Sequence, residues 1–267
     1  MDILPDDLLV TRFGDPRART ALLLHGGGGP QTVASIAAHL AETMHVLAPT
    51  HPGWDGTRRP KSVASVARLA SGYLEFLVQH GVRDVVVIGS SIGGWIALEM
   101  ALQAGDDPRY AGLVGALVDI DGVGAVVAGE PIADFFALDA RGLAEIAWHD
   151  PERGYRDPAS LTAEQRAVQR SNASTMAVIA GRGMSDAGLL GRLDAIKVPA
   201  LLVWGESDRV VTPAYGRAIA DRIPAAQFAQ IPHAGHLPHL EAPQATWAAI
   251  DRFLSGVIGI GRPSQRA

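Results

Sequence analysis

A serine bracketed by small residues is the first feature of this sequence that suggests chemistry. The segment "VVVIGSSIGGW", residues 85–95, passes from an apolar, β-branched run into Gly89-Ser90-Ser91-Ile92-Gly93. This G-x-S-x-G pattern lies between a predicted strand and a helical pattern. Such a turn presents a serine at the carboxyl edge of a parallel sheet, where open α/β folds bind ligands. We therefore predict Ser91 as a nucleophile at a positive φ, with a tight packing turn as the alternative.

A serine hydroxyl is a poor nucleophile until a base accepts its proton. The segment "IPHAGHLPHLEAP", residues 231–243, places three of the nine histidines directly after a predicted strand. His236 follows a glycine, which allows the backbone to present the ring. His233 lies nearer the strand end and His239 nearer the next helix. We expect His236 to be the base, with its two neighbours as alternatives.

The base needs a carboxylate to orient it, at another strand end of the same sheet edge. "LLVWGESDRVVTP", residues 201–213, places Glu206 and Asp208 directly after a predicted strand. Asp208 is the favoured acid from its place in this set. Asp119 and Asp121, in "VDIDG", end an earlier strand and compete with it.

A developing oxyanion needs hydrogen-bond donors. "LLLHGGGGP", residues 22–30, ends another predicted strand with four glycines, which let a backbone N–H approach a substrate oxygen. We predict the N–H groups of Gly27 and Ile92 as this oxyanion hole. His25 is interpreted as a residue that pins the glycine loop.

Short apolar runs alternate with amphipathic ones, which is typical of βαβ units and a parallel sheet covered on both faces. The runs predicted as strands cover residues 20–26, 45–49, 84–89, 113–121, 200–206 and 226–232, with an antiparallel edge strand at 8–13. Helical patterns cover residues 62–80, 92–104, 213–222 and 242–257. The fold class is therefore α/β, a mostly parallel sheet with helices on both faces.

One region interrupts this alternation. Residues 122–193 contain no convincing strand, and helical patterns at 131–148 and 162–180 occupy the region instead. A structureless loop of this length is improbable in a compact domain, so we predict a helical insertion. The expected organisation is a core of residues 1–121 and 194–267 with an inserted helical cap at 122–193.

The composition of the chain limits the functions that we expect of it. The chain has 267 residues, a net charge of −5 and no cysteine. These values give no reason to expect nucleic-acid or membrane binding, and they exclude thiolate metal sites and disulfides. The N-terminal residues lack a signal-peptide pattern and no apolar run is long enough to span a bilayer, so we expect a soluble, cytoplasmic protein. The oligomeric state is left open.

Five motifs in one order give the sequence a family resemblance. "HGGGG", "HPGWDGT", "GSSIGG", "LLVWGESDRVV" and "HAGHLPHLEAP" span residues 22–243 and resemble the cap-bearing, esterase-like serine hydrolases of the α/β-hydrolase fold. The resemblance implies Ser91 as nucleophile, Asp208 as acid and His236 as base, with Gly27 and Ile92 forming the oxyanion hole. It also implies that residues 122–193 form a cap over the pocket.

The function that follows from this resemblance is hydrolysis of a small-molecule carboxylic ester or lactone through an acyl-enzyme, without a metal or organic cofactor. The alternatives are cofactor-free perhydrolysis or C–C bond hydrolysis with the same residues, or a non-catalytic ligand-binding protein on the same scaffold. Relatives that cleave C–C bonds typically have tryptophan after the histidine, where this chain has Leu237. The candidate substrate-binding residues, mostly large and apolar, are Trp54, Trp95, Phe135, Phe136, Trp148 and Leu237.

Overall fold

The computed structural model describes residues 3–5 and 7–259 of the chain. Seven strands form the main sheet: β1 Val10–Phe13, β2 Thr20–Leu24, β3 His45–Pro49, β4 Val85–Ser90, β5 Val114–Ile120, β8 Ala200–Gly205 and β9 Ala226–Ile231. Two short strands, β6 Gly124–Ala125 and β7 Ser185–Asp186, pair with each other in a separate sheet.

The main sheet has the order β1-β3-β2-β4-β5-β8-β9. All of its pairings are parallel except β1 with β3, which confirms the predicted antiparallel edge strand. The chain passes from β3 across β2 to β4, so the strand order reverses between β2 and β4. Ligands bind in open α/β sheets at such a reversal, outside the carboxyl ends of the strands. The glycine loop after β2 and Ser91 after β4 both lie at this point.

In the described part of the chain, ten α-helices connect and flank the strands. They are α1 Ala34–Leu40, α2 Val66–Gln79, α3 Ile92–Asp106, α4 Ala140–Ala147, α5 Pro151–Gly154, α6 Ala163–Ile179, α7 Leu189–Arg192, α8 Pro213–Ala220, α9 Pro238–Glu241 and α10 Pro243–Gly259. Several of these helices have a side-chain cap at their first turn. Ser65 accepts a hydrogen bond from the Arg68 N–H, and Thr162 and Gln165 form a reciprocal capping box. The short helices α1, α5, α7 and α9 were not predicted from the sequence.

The core is built from both faces of the sheet, because successive strand side chains point in opposite directions. In β4, Val85 and Val87 pack with α2 and α3, while Val86 and Ile88 pack with α1 and α10. All four side chains are fully buried. This burial on both faces explains why the strand reads as one continuous apolar run.

Residues 122–193, which we call the inserted segment, join β5 to the approach to β8. Helices α4 to α7 lie within it, but the expectation of no strand there is wrong, since β6 and β7 pair through Gly124–Ser185 and Ala125–Asp186. Two-residue strands have too few side chains to give a recognisable alternation. The helix predicted over 131–148 is shorter, because the Asp139 side chain caps a new helix start at α4.

The two-part division of the chain at residues 121 and 194 stays a prediction, and residues 1, 2, 6 and 260–267 lie outside the described part. Within residues 3–5 and 7–259, no helix combines the length and the apolar character needed to cross a bilayer.

Candidate active site

Ser91 lies at the turn from β4 into α3, with φ 57° and ψ −120°. Such a backbone conformation costs an ordinary residue about 1–3 kcal/mol, so the surroundings must impose it. The close approach of strand and helix does so: an added Cβ at Gly89 would lie 2.0 Å from the Gly93 carbonyl oxygen, and one at Gly93 would lie 2.2 Å from that of Leu24. The predicted positive φ and the need for a turn without side chains are both confirmed.

Ser91 is hydrogen-bonded to His236, and His236 to Asp208. The His236 Nε2 atom lies 3.0 Å from Ser91 Oγ, and its Nδ1 atom lies 2.8 Å from Asp208 Oδ2. Asp208 is 2% exposed, and its Oδ1 accepts hydrogen bonds from the N–H groups of Val210 at 2.8 Å and Val211 at 3.2 Å. This geometry suits transfer of the Ser91 proton to Nε2 while Asp208 accepts the Nδ1–H bond.

The two neighbouring histidines lie away from Ser91. His239 is buried, its Nε2 is 2.8 Å from the Thr32 carbonyl oxygen, and burial lowers its pKa to about 4. His233 is exposed, and its N–H donates to Glu206 Oε2 at 3.1 Å. Of the three candidates in the motif, the structure brings only His236 to the serine.

His25 pins the glycine loop, as interpreted from the sequence. Its Nδ1 lies 2.7 Å from the Gly26 carbonyl oxygen, and its Nε2 accepts the His51 N–H at 2.9 Å. The His51 ring in turn lies 2.5 Å from the Tyr73 hydroxyl and 3.0 Å from the His25 carbonyl oxygen. Burial lowers the pKa of His25 to about 4 and that of His51 well below its ordinary value, so both rings are neutral and suited to this structural role.

Asp121, one of the competing acids, is a second buried carboxyl group beside Asp208. Its Oδ1 accepts the Gly205 N–H at 2.8 Å, while Oδ2 has no hydrogen-bond partner among the described residues. Burial and the charge of Asp208 raise the pKa of Asp121 well above its ordinary value. A protonated Asp121 can donate to Asp208, and its neutrality avoids two adjacent buried charges.

The other competing acid, Asp119, packs against the start of α3. An added Cβ at Gly94 would lie 2.0 Å from Asp119 Oδ1, and one at Gly122 2.1 Å from it. Neither carboxyl oxygen has a side-chain hydrogen-bond partner among the described residues, and burial raises the pKa of Asp119 to about 8. We interpret this group as a neutral carboxylic acid packed beneath the serine turn.

Asp121, Asp208 and His236 are also the described residues whose donor atoms are grouped closely enough for a cation, all within 4.8 Å of one another. Except for Asp121 Oδ2, their atoms already have hydrogen-bond partners: His236 Nδ1 with Asp208 Oδ2, and Asp208 Oδ1 with two N–H groups. The set fits a proton-sharing chain better than a coordination shell, because a metal would have to displace these bonds.

The two predicted oxyanion donors belong to two segments near Ser91, the glycine loop and the first residue of α3. Neither the Gly27 N–H nor the Ile92 N–H donates to a protein acceptor within the described part of the chain. Ile92 is the first residue of α3, where the helix dipole favours negative charge. An added Cβ at Gly26 would lie 3.3 Å from Ser91 Cβ, which shows how closely the glycine loop approaches the serine.

A cavity of about 600 Å³ opens between the inserted segment and the glycine loop. Its lining is apolar near the loop and polar farther along α6; the lining residues are Gly27, Gly28, Phe135, Ala140, Leu143, Ala144, Ala147, Trp148, Gly154, Arg156, Pro158, Leu161, Arg166, Gln169, Arg170, Asn172, Ala173 and Met176. The cavity adjoins the candidate site through Gly27 and through Ala147, whose carbonyl oxygen accepts the His236 N–H at 2.7 Å, while Ser91, Asp208 and His236 are not among its lining residues.

Of the six candidate substrate-binding residues, Phe135 and Trp148 line this cavity. Trp54 does not, because it is fully buried and its Nε1–H donates to the Gly27 carbonyl oxygen at 2.9 Å. Trp95 is 5% exposed and its ring lies against Gly124. Both tryptophans are thus packed beneath or beside the site rather than open to a ligand.

Phe136 and Leu237 are also outside this lining. Phe136 borders a separate cavity with Arg182, since the short 3₁₀ turn at Phe135–Ala137 directs the two adjacent rings to different sides. Leu237 is half-buried at the start of α9.

Glu241, which was not predicted from the sequence, holds the loop that carries His236. Its carboxylate accepts the N–H groups of Gly235 at 2.7 Å, His149 at 3.0 and 3.1 Å, and Asp150 at 3.2 Å. It therefore ties the residue before His236 to the inserted segment. An acid at the end of an apolar helical turn reads as a surface residue, so no sequence signal identifies these distant backbone partners.

The chain is similar to several known proteins. A family model described as "Alpha/beta hydrolase family" matches residues 21–249. The chain is 28% identical over 258 residues to a pimeloyl-[acyl-carrier protein] methyl ester esterase of Aromatoleum aromaticum, covering 88% of this chain and 98% of that protein. It is 29% identical over 278 residues to the magnesium-chelatase 30 kDa subunit of Rhodobacter capsulatus, covering 94% and 92%.

A similar solved structure is that of a bacterial membrane phospholipase A described as a virulence factor. It superimposes with a TM-score of 0.76 at 25% sequence identity and covers 95% of this chain and 84% of that one.

Proposed function

Because the chain belongs to the alpha/beta hydrolase family, we propose that it is a serine hydrolase that cleaves a carboxylic ester or a lactone through an acyl-enzyme. The observation that carries this proposal is the hydrogen-bonded series Ser91–His236–Asp208, with Ser91 at φ 57°. A relative named as a methyl ester esterase supports the same reaction class.

In the proposed reaction, Ser91 Oγ attacks the substrate carbonyl carbon as His236 Nε2 accepts the hydroxyl proton. Asp208 holds Nδ1–H and stabilises the imidazolium that forms. The carbonyl oxygen becomes an oxyanion between the N–H groups of Gly27 and Ile92, whose positions beside Ser91 support this role.

Collapse of the tetrahedral intermediate breaks the bond to the leaving alcohol oxygen, which takes the proton from His236. Water then gives a proton to His236 Nε2 and attacks the acyl carbonyl, and the acid is released with Ser91 restored. The inserted segment would act as the cap, and its cavity beside Gly27 would hold the acyl chain.

The test is hydrolysis of a panel of 4-nitrophenyl esters and lactones by the wild-type protein and Ser91→Ala. We expect Ser91→Ala to lose at least about 10⁴-fold in kcat/KM, because removal of a nucleophile from such a unit disables it. A fluorophosphonate probe should label the wild type and not Ser91→Ala.

Ser90→Ala is the matched control, since it removes the adjacent hydroxyl, and it should still be labelled. If no ester or lactone is hydrolysed and the probe labels nothing, the proposal fails. Ligand binding on a non-catalytic scaffold would then explain the fold better.

A further inference from the structure

The cavity beside Gly27 has an unusual distribution of charge. Its lining includes Arg156, Arg166 and Arg170 and contains no aspartate or glutamate. The same cavity has apolar lining residues too, among them Leu143 and Met176, and Met176 lies against Gly27. A purely apolar acyl chain would offer these three guanidinium groups no hydrogen-bond acceptor and no opposite charge.

None of these three arginines forms an ion pair within residues 3–5 and 7–259. Arg141 and Arg192 of the inserted segment are ion-paired, Arg141 with Glu152 and Arg192 with Glu99 and Asp186, whereas Arg153 and Arg182 form no ion pair among the described residues. The cavity arginines therefore retain their capacity to bind an anion.

The hydrogen bonds of the three side chains leave donors available. Arg166 Nη1 donates to the carbonyl oxygens of Pro158, at 3.3 Å, and Leu161, and Arg156 Nη1 donates to the carbonyl oxygen of Tyr155 at 3.3 Å. A guanidinium carries five N–H donors in a planar fork, so further donors remain for a carboxylate or phosphate.

Helix α6 sets the distance from the reacting end of the cavity to these charges. Met176 lies against Gly27, where an added Cβ would be 2.5 Å from Met176 Sδ. With a rise of 1.5 Å per residue, Arg170 lies about 9 Å and Arg166 about 15 Å farther along the same helix. The helix thus sets the spacing along its axis between Met176, beside Gly27, and the backbone positions of Arg170 and Arg166.

We propose that the substrate of this site is an ester whose acyl chain ends in an anionic group, a carboxylate or a phosphate. The anion would lie about 9–15 Å from the reacting carbonyl carbon, beside Arg170 and Arg166. This inference rests on the proposed hydrolase function and adds the substrate class to it.

An extended chain of eight carbons spans about 9 Å, given carbon–carbon bonds of ~1.5 Å at tetrahedral angles. The test therefore compares kcat/KM for the mono-4-nitrophenyl ester of octanedioic acid with that for 4-nitrophenyl octanoate, which has a methyl group in place of the carboxylate. A third ester, 4-nitrophenyl 8-(phosphonooxy)octanoate, tests a phosphate at that end. We expect the wild type to prefer at least one anionic ester about 10-fold, and the larger preference identifies the anion.

Arg170→Gln should reduce that preference about 2- to 5-fold, the range expected for one exposed ion pair. The double variant Arg166→Gln/Arg170→Gln should remove most of it. Arg170 donates no hydrogen bond to the described part of the protein, so its substitution removes charge without a structural contact. The matched control is Arg182→Gln, an equal change of charge in the inserted segment outside this cavity, which should keep the full preference.

No preference for either anionic ester, or an equal loss in Arg182→Gln, would overturn the inference while leaving ester hydrolysis intact. Calorimetric titration with the monomethyl amide of octanedioic acid tests the anion site without turnover. We expect binding by the wild type that weakens in the double variant. If no ester is hydrolysed but the amide still binds in this way, the proposed function fails and the anion site stands; equal binding by both proteins would refute the site.

Discussion

Glu241 provides a test of how the inserted segment and the histidine loop depend on each other. The substitution Glu241→Ala removes a carboxylate that accepts N–H groups from Gly235, His149 and Asp150. Glu241 is 9% exposed and Gly235 is buried, so the Gly235 N–H would lose its partner without ready access to water. His149 and Asp150 are exposed and can be rehydrated.

The expected loss of stability follows from that difference. An unsatisfied buried donor costs about 1–3 kcal/mol, and hydrogen bonds to charged groups contribute about 1.5–3 kcal/mol. We therefore expect Glu241→Ala to lower the free energy of unfolding by about 3 kcal/mol, because the two exposed donors contribute little. For a chain of this size that corresponds to a fall in Tm of about 6 °C.

Activity should fall as well, because Gly235 precedes His236. A small displacement of a catalytic group lowers the rate steeply, so we expect kcat for 4-nitrophenyl octanoate to fall at least about 10-fold. Glu241→Gln keeps one acceptor oxygen and should fall between the wild type and Glu241→Ala. The measurements are thermal unfolding by circular dichroism and steady-state kinetics.

Glu206→Ala is the matched control. Glu206 accepts the N–H of His233, which lies on the same loop as Gly235, but Glu206 has no hydrogen bond to the inserted segment. It should leave kcat within about twofold and change the free energy of unfolding by less than about 1 kcal/mol. Equal effects of the two alanine variants on both kcat and Tm would refute the reasoning.

Two further substitutions test the turn and the buried acid beneath it. Gly89→Ala should lower the free energy of unfolding in urea by more than about 3 kcal/mol, because its Cβ would meet the Gly93 carbonyl oxygen at 2.0 Å. The control Gly256→Ala, with open space around it in α10, should leave this free energy unchanged or raise it slightly. A folded, fully stable Gly89→Ala would contradict the packing argument. Burial raises the pKa of Asp119 from 3.8 to about 8, so its carboxyl stays protonated in the fold while the unfolded chain ionises. The wild type should therefore lose stability between pH 4 and pH 8 relative to Asp119→Asn, by up to ~1.4 kcal/mol per pH unit; a constant difference across that range would show that Asp119 does not titrate this way.

The sequence by itself determined the sheet and the positions of the reactive groups along it. Continuous apolar runs such as Val85–Ile88 predict buried strands, and the small residues around Ser91 predict a tight turn at a strand end. These are local signals, since steric limits of the backbone act within a few residues. The proximity of Ser91, Asp208 and His236 followed because carboxyl ends of parallel strands share one edge.

Tertiary structure alone decided what surrounds those groups. Trp54 and Phe135 look equally suited to a pocket in sequence, yet one is buried beneath the glycine loop and the other lines the cavity. Asp121 lies close to Asp208, and Glu241 accepts three N–H groups. These contacts connect segments that are far apart in the chain. Such contacts depend on how the inserted segment packs against the core, and a hydrophobic pattern specifies which face of a helix is buried but not which distant residue it meets.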